Sequence, residues 1–264
     1  MIARMLARLV GHNFSMRGDP DVRYILSTYV FPGFDRRPHL RDWLLLHPVP
    51  FGIRFWWRRV FCQRRPPLVL DESGGVAPGT VSHNLGNVWR IRRHRMEHAV
   101  RLLQECLTGR TSRARVLLIG PRNDAEVFLM TAYGFARENI TAIDLISVSD
   151  WIEPMDMMNL ALPDNSFDVV FASYVLPYCS EPQRALDEMY RVTKDLGLLV
   201  ISWGIYDRPN TVGQSDQTRG LPYVTDSLAG KIERVVWHEP LASRDSGKKK
   251  SFATIVQVAK VQVE

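Results

Sequence analysis

A chain of 264 residues of which 45% are apolar can bury a substantial core, which excludes wholesale disorder and suits one large domain or a domain with an appendage. Its net charge of +6 and sequence pI near 9.4 favour contact with an anionic surface or substrate. Three scattered cysteines (Cys62, Cys106, Cys179) form no CxxC or Cys/His pattern, so neither a disulfide framework nor a metal site is expected. No apolar run reaches the roughly 20 residues that span a bilayer. The opening MIARMLARLVGHNF is too interrupted by arginine for a secretory core, and the expected location is the cytoplasm.

Residues 1–80 read as a basic, aromatic extension or cap, and residues 81–264 as an α/β domain. The extension carries short helical pieces at Asp21–Val30 and Leu40–Leu46, and Ile2, Met5, Leu6 and Leu9 could share one face of an interfacial or docking helix. Its segment FGIRFWWRRVFCQRRPP alternates aromatics with arginines. That mixture suits a peripheral membrane contact, an anionic lipid-linked substrate or, less favoured, nucleic acid, because arginine pairs phosphates while aromatics stack or insert. The simplest reading is an ordinary packed helix with its arginines outward.

From about Val88 the chain becomes regular. Met96, Val100, Leu103 and Leu107 recur at helical spacing before Gly109. Strands are predicted at Val116–Ile119, Ile140–Leu145, Trp151–Pro154, Asp168–Ala172 and Leu198–Ser202, with helices at Asp124–Tyr133 and after Ser180-Glu181-Pro182-Gln183, the latter running to Gly197. Near-continuous apolar strands separated by helices predict a doubly wound, mostly parallel α/β sheet. Arg234–Trp237 and Phe252–Val258, joined by the polar stretch Ser243–Lys250 with no helix between them, predict a C-terminal antiparallel hairpin.

Ligands of such sheets bind beyond the strand ends, at the turn after the first strand, here Gly-Pro-Arg-Asn-Asp from Gly120 to Asp124. Gly120 permits the tight turn, and Asn123 with Glu126 can satisfy the first helical amides. A dinucleotide needs a second glycine where Arg122 stands, so the turn suits a phosphate-free nucleoside better. That also argues against a hydride-transferring enzyme. Asp144 closes the second strand 24 residues after Gly120, where a carboxylate can accept hydrogen bonds from ribose hydroxyls.

The stretch DMMNLALPDNSFDVVFASYVLPYCSEPQRALDEMYRVTKDLGLLVIS, Asp156 to Ser202, resembles the class I S-adenosylmethionine-dependent methyltransferases, especially the group called methyltransferase type 11. The resemblance implies a seven-stranded, Rossmann-like sheet with S-adenosylmethionine as cofactor. It also implies Gly120 beneath the methionine part, Asp144 on the ribose, Asp156 and Met157 by the adenine, and Ser173 and Tyr174 beside the methionine part. The family's acidic residue in the first strand is replaced here by Leu118, and Asp124 or Glu126 is expected to take its ammonium contact. If the acceptor needs a base, His83, His94, Tyr174 and Tyr178 are candidates, Tyr178 standing where relatives often carry histidine. The expected function is methyl transfer to a small-molecule or lipid-linked acceptor in biosynthesis. The alternative is a non-catalytic protein of the same fold that binds a partner or nucleic acid.

Overall fold

A strand covered on both faces has no use for polar alternation, and Val116–Ile119 is buried at all four positions. The computed structural model describes residues 44–62, 68–69, 80–88, 90–91, 96–206, 220–241 and 249–260. The chain divides into two units, Met1–Pro66 and Pro67–Glu264.

In the first unit, Leu44–Leu46 are helical, and helix α1 spans Pro48–Trp57 before a π-helical turn at Arg58–Cys62. His47 caps α1 by accepting from the Val49 amide, and proline in the first turn presets the helical φ. Phe51 and Phe55 are buried, as a packed helix requires. The outward-arginine expectation fails: Arg58 is buried, and burial lowers the Arg54 guanidinium to about 10, while Trp56, Trp57 and Phe61 are exposed. The predicted helix at Asp21–Val30 and the face of Ile2, Met5, Leu6 and Leu9 lie outside the described residues.

The second unit runs β1 (Leu68–Val69), α2 (Thr80–Leu85), α3 (Glu97–Cys106), β2 (Val116–Ile119), α4 (Asp124–Ala132), β3 (Ile140–Asp144), β4 (Ile146–Ser147) and β5 (Ile152–Pro154). It continues with β6 (Phe167–Ser173), α5 (Pro182–Val192), β7 (Thr193–Tyr206), α6 (Gly220–Ser227), β8 (Ile232–Leu241) and β9 (Lys249–Val258). Among the described residues the main sheet has seven strands in the order β5-β3-β2-β6-β7-β9-β8. The first five strands in that order are mutually parallel, and β9 is antiparallel to both β7 and β8. β1 and β4 form a separate antiparallel pair.

Met96, Val100, Leu103 and Leu107 are all buried, so the helical spacing marks the true inner face of α3. Three local expectations change. α5 stops at Val192 rather than Gly197, because Thr193 already pairs with Phe167 in the sheet. Gly197 instead lies inside an irregular stretch of β7, where an added Cβ would sit 2.6 Å from Thr193 Cγ2 and 2.8 Å from the Lys194 carbonyl oxygen. The N-cap of α5 is Glu181, without a side-chain cap, and Gln183 turns away to donate to the Ser227 carbonyl at 3.0 Å. Finally, Lys249 and Lys250 belong to β9, opposite Tyr206 and Ile205, rather than to the hairpin turn.

The sequence Arg191-Val192-Thr193-Lys194 has a physical reason. Arg191 donates Nε and Nη2 to the two oxygens of Glu188, both at 2.8 Å, Nη1 to the Leu162 carbonyl at 2.9 Å, and Nη2 to the Leu160 carbonyl at 2.8 Å. Glu188 closes the ring by accepting from the Leu160 amide at 2.7 Å. One planar guanidinium thus ties the loop that follows Met158 to α5. Lys194 pairs with Asp168 at 2.7 Å, and Asp168 also accepts from the Arg115 amide that leads into β2.

Candidate active site

β2 is the strand at which the chain changes direction across the sheet: β3 follows on one side, and β6 returns on the other. A cleft is expected at the carboxyl end of such a strand. Register makes this concrete. Ile119 pairs with both Ile143 and Ala172, so Gly120, Asp144 and Ser173 come next in one row, which Pro154 extends on one side and Ser202 on the other.

The turn above that row is fixed locally. Gly120 has φ +71°, a conformation that disfavours side chains, and its amide donates to the Ile143 carbonyl at 2.8 Å. Asn123 is the N-cap of α4, accepting from the Ala125 amide at 3.0 Å, and its amide nitrogen donates to the carbonyls of Val88 and Arg90 at 2.8 and 3.1 Å. One buried side chain therefore starts the helix and tethers the segment after α2. Asn123→Ala should cost about 2–3 kcal/mol, since a lost cap alone is worth ~1 and two carbonyls lose their donor. Chemical denaturation with an unchanged m-value would check this.

The cleft has a volume of about 750 Å³, counting its open mouth. Gly120, Asp144, Asp156, Met157, Ser173 and Tyr174 line it, and so does Tyr178. Asp156 Oδ1 accepts from the Met158 amide at 2.8 Å, so the residue both shapes its turn and borders the cleft. Met158 itself is a core residue, while Met157 is only partly buried. Ser173 Oγ lies 2.9 Å from Ser202 Oγ. Tyr174 follows with φ +59° and donates its amide to the Ser202 carbonyl at 2.6 Å. A left-handed tyrosine at a strand end costs on the order of 1 kcal/mol, a strain found preferentially at functional sites.

Asp124 does not line the cleft. It is buried at the start of α4, where it accepts a hydrogen bond from the Ser149 hydroxyl. Glu126, two residues further along α4, does line the cleft, as does Arg122. His83 falls within α2, but its side chain lies outside the described residues, as does all of His94. Asn84, next to His83, reaches the cleft wall. Cys179 is also at the wall, where burial pushes its thiol up to about 11, which makes it a poor nucleophile.

Electrostatics single out Asp144. Burial pushes its carboxyl up to about 7, the nearby Glu126 charge adds to the rise, and the Ile146 and Leu145 amides together with Arg122 oppose it. Sequence reasoning named Glu126 only as the alternative to Asp124, and took Arg122 as an obstacle to a dinucleotide rather than as a group of the site. For Arg122 the available signal was its position two residues after Gly120.

Residues 124–201 match the family model described as a methyltransferase domain. A malonyl-[acyl-carrier protein] O-methyltransferase from Yersinia pestis is 26% identical over 175 residues, which is 62% of this chain and 62% of that one. A phosphatidylethanolamine N-methyltransferase from Cereibacter sphaeroides is 36% identical over 108 residues, 40% of this chain and 48% of the other. The chain therefore matches less than two thirds of the length of these curated relatives. Among solved structures, the N-methyltransferase NodS from Bradyrhizobium japonicum WM9, in complex with S-adenosyl-L-homocysteine, aligns with a TM-score of 0.47 at 14% identity, covering 68% of this chain and 98% of that one. By its matched segment, the α/β unit of this chain carries a methyltransferase domain and is similar to S-adenosylmethionine-dependent methyltransferases.

Proposed function

We propose that the α/β unit binds S-adenosylmethionine in the cleft above Gly120 and transfers its methyl group to a small-molecule or lipid-linked acceptor. One observation carries the reading: Asp144, at the end of β3, and Asp156, in the loop after β5, border the same cleft as the glycine turn. A cofactor with two ribose hydroxyls, an amino group and a sulfonium charge fits a wall bearing three carboxylates, those of Glu126, Asp144 and Asp156. Asp144 takes the ribose, Asp156 and Met157 the adenine edge, and Ser173 and Tyr174 the methionine part. With Asp124 held by Ser149, the ammonium contact passes to Glu126.

When bound, the cofactor supplies an electrophilic methyl group. An acceptor's lone pair would form the new bond to that carbon as the carbon–sulfur bond broke, with Glu126, Asp144, Asp156, Met157, Ser173 and Tyr174 as the residues that would hold the cofactor. The protein's part is alignment and exclusion of water. An acceptor that carries a proton must give it up, and Tyr178, at the cleft wall, is the side chain placed to receive or relay it. Tyr178→Phe should lower kcat by roughly 100-fold with little change in cofactor affinity. An unchanged kcat would remove Tyr178 from the reaction.

A second reading has its own observation. Arg122 brings positive charge to a cleft meant for a cationic cofactor, which fits a non-catalytic relative that binds an anionic partner. Isothermal calorimetry separates the two. Heat and a thermal shift with S-adenosylmethionine and its demethylated product support the enzyme, whereas no response at millimolar ligand supports the binding protein.

The raised Asp144 group also sets a pH dependence. Its ionised form is the better acceptor for ribose hydroxyls, so cofactor affinity should fall as pH drops through about 7, by up to about tenfold per unit. Titrating Kd between pH 8 and pH 5.5 checks this, and a flat profile would contradict it.

A further inference from the structure

Helix α1 and its π-turn present an apolar stripe to solvent. Val49 is 60% exposed, Ile53 63%, Trp56 45%, Val60 57% and Phe61 54%, and Trp57 is exposed beside them. Their spacing of three, four and eight residues places them on one helical face. Trp57 and Phe61 extend that face as a ring pair with centroids 4.5 Å apart.

The opposite side of the helix is the unusual one. Phe51, Phe55 and Arg58 are buried there, so this segment hides an arginine and shows water its tryptophans, the reverse of an ordinary surface helix. A contiguous exposed apolar face of this kind marks a surface that something covers.

Charge decides among the occupants. Residues 36–65 hold eight arginines, no lysine and a single acidic residue, Asp42. A second copy would bring an equally cationic segment against this one, and like charges oppose that pairing. Nucleic acid needs guanidinium groups beside the stacking rings, yet Arg58 is buried and Arg54 is largely desolvated. An anionic bilayer answers both features. Its acyl boundary accepts tryptophan, phenylalanine and isoleucine, and its headgroups attract a segment whose sequence carries a net positive charge.

We propose that the face formed by Val49, Ile53, Trp56, Trp57, Val60 and Phe61 is a peripheral membrane anchor that inserts into the interface of an anionic bilayer. It acts independently of whether the cleft binds cofactor.

The test is co-sedimentation of the full chain with vesicles of phosphatidylcholine alone and of equal parts phosphatidylcholine and phosphatidylglycerol. Binding to the anionic vesicles should be at least about tenfold tighter and should weaken with added salt. Ile53→Glu and Trp56→Ala should each reduce it by about tenfold or more, with melting temperature and cofactor calorimetry unchanged, because both side chains face solvent. As a measurement that leaves the fold intact, Trp56→Phe/Trp57→Phe should lose most of the fluorescence quenching by bromine-labelled acyl chains seen in the parent. Absence of binding to either vesicle would overturn the proposal, as would binding that survives Ile53→Glu and Trp56→Ala. A dimer in sedimentation that these substitutions dissolve would assign the face to a second copy instead. Loss of cofactor binding with vesicle binding intact would count against the methyltransferase reading alone.

Discussion

Asp144→Asn should make the ligand-free protein more stable at pH 8 while removing most of its affinity for S-adenosylmethionine. The two effects share one cause. Burial raises the carboxyl from 3.8 to about 7, so above that pH the fold holds an ion it has desolvated. At ~1.4 kcal/mol per pH unit the cost is at most about 4 kcal/mol, and relaxation together with water at the cleft mouth should leave about 1–3. The sign follows from linkage. A carboxyl whose folded pKa exceeds its unfolded value contributes stability that is fully present below pH 3.8 and lost as pH rises through about 7. The advantage of asparagine should therefore be absent near pH 4, grow between pH 4 and 7, and stay constant above. Asparagine keeps an oxygen for the Ile146 amide, which Asp144 Oδ1 accepts at 3.3 Å, so the turn after β3 should survive. It cannot supply the charged acceptor that two hydroxyls require, and Kd should rise by roughly 100-fold. Thermal melts of both proteins across pH, paired with calorimetry, read the two arms. A variant that is no more stable at pH 8 would show that Asp144 is well solvated, and unchanged Kd would move the ribose elsewhere.

Gly120→Ala should be the most damaging small substitution in the cleft. An added Cβ would lie 2.1 Å from Val175 Cγ1, well inside contact distance, and φ at +71° is itself unfavourable for alanine. Overpacking and backbone strain together should cost about 2–5 kcal/mol. Cofactor binding should be lost, since the turn must shift where the cleft floor is set. The double substitution Gly120→Ala/Val175→Ala separates the causes. Removing the valine methyls should recover the steric part and leave about 1 kcal/mol of backbone strain. If the double variant is no better than the single one, Val175 is not the obstacle, and the intolerance lies in the backbone alone.

Much of the fold could be read from residue order because burial on both faces leaves a local trace. Val116–Ile119 appeared as an unbroken apolar run, and Met96, Val100, Leu103 and Leu107, in α3 and at its two caps, as a helical period. The end of α5 could not be read this way. Thr193 leaves the helix because Phe167, 26 positions earlier, offers it a place in the sheet, and no local propensity encodes that partner. Arg191 had the same difficulty: a basic residue near a helix end looks like a dipole complement, yet here it grips the carbonyls of Leu160 and Leu162.

The site divides along the same line. Residue types and spacing marked Gly120 and Asp144, the family resemblance marked Asp156, and all three border one cleft because strand-end positions are tied to strand order. Only the tertiary structure could distinguish Asp124 from Glu126, two residues apart on one helix. The first turn of α4 points one carboxylate into the protein toward Ser149 and the other into the cleft, a difference set by what packs around the helix. The same holds for α1. Its alternation of arginine and aromatic residues was plain in the sequence, but which set would face water depended on burial, and burial is decided by the rest of the fold.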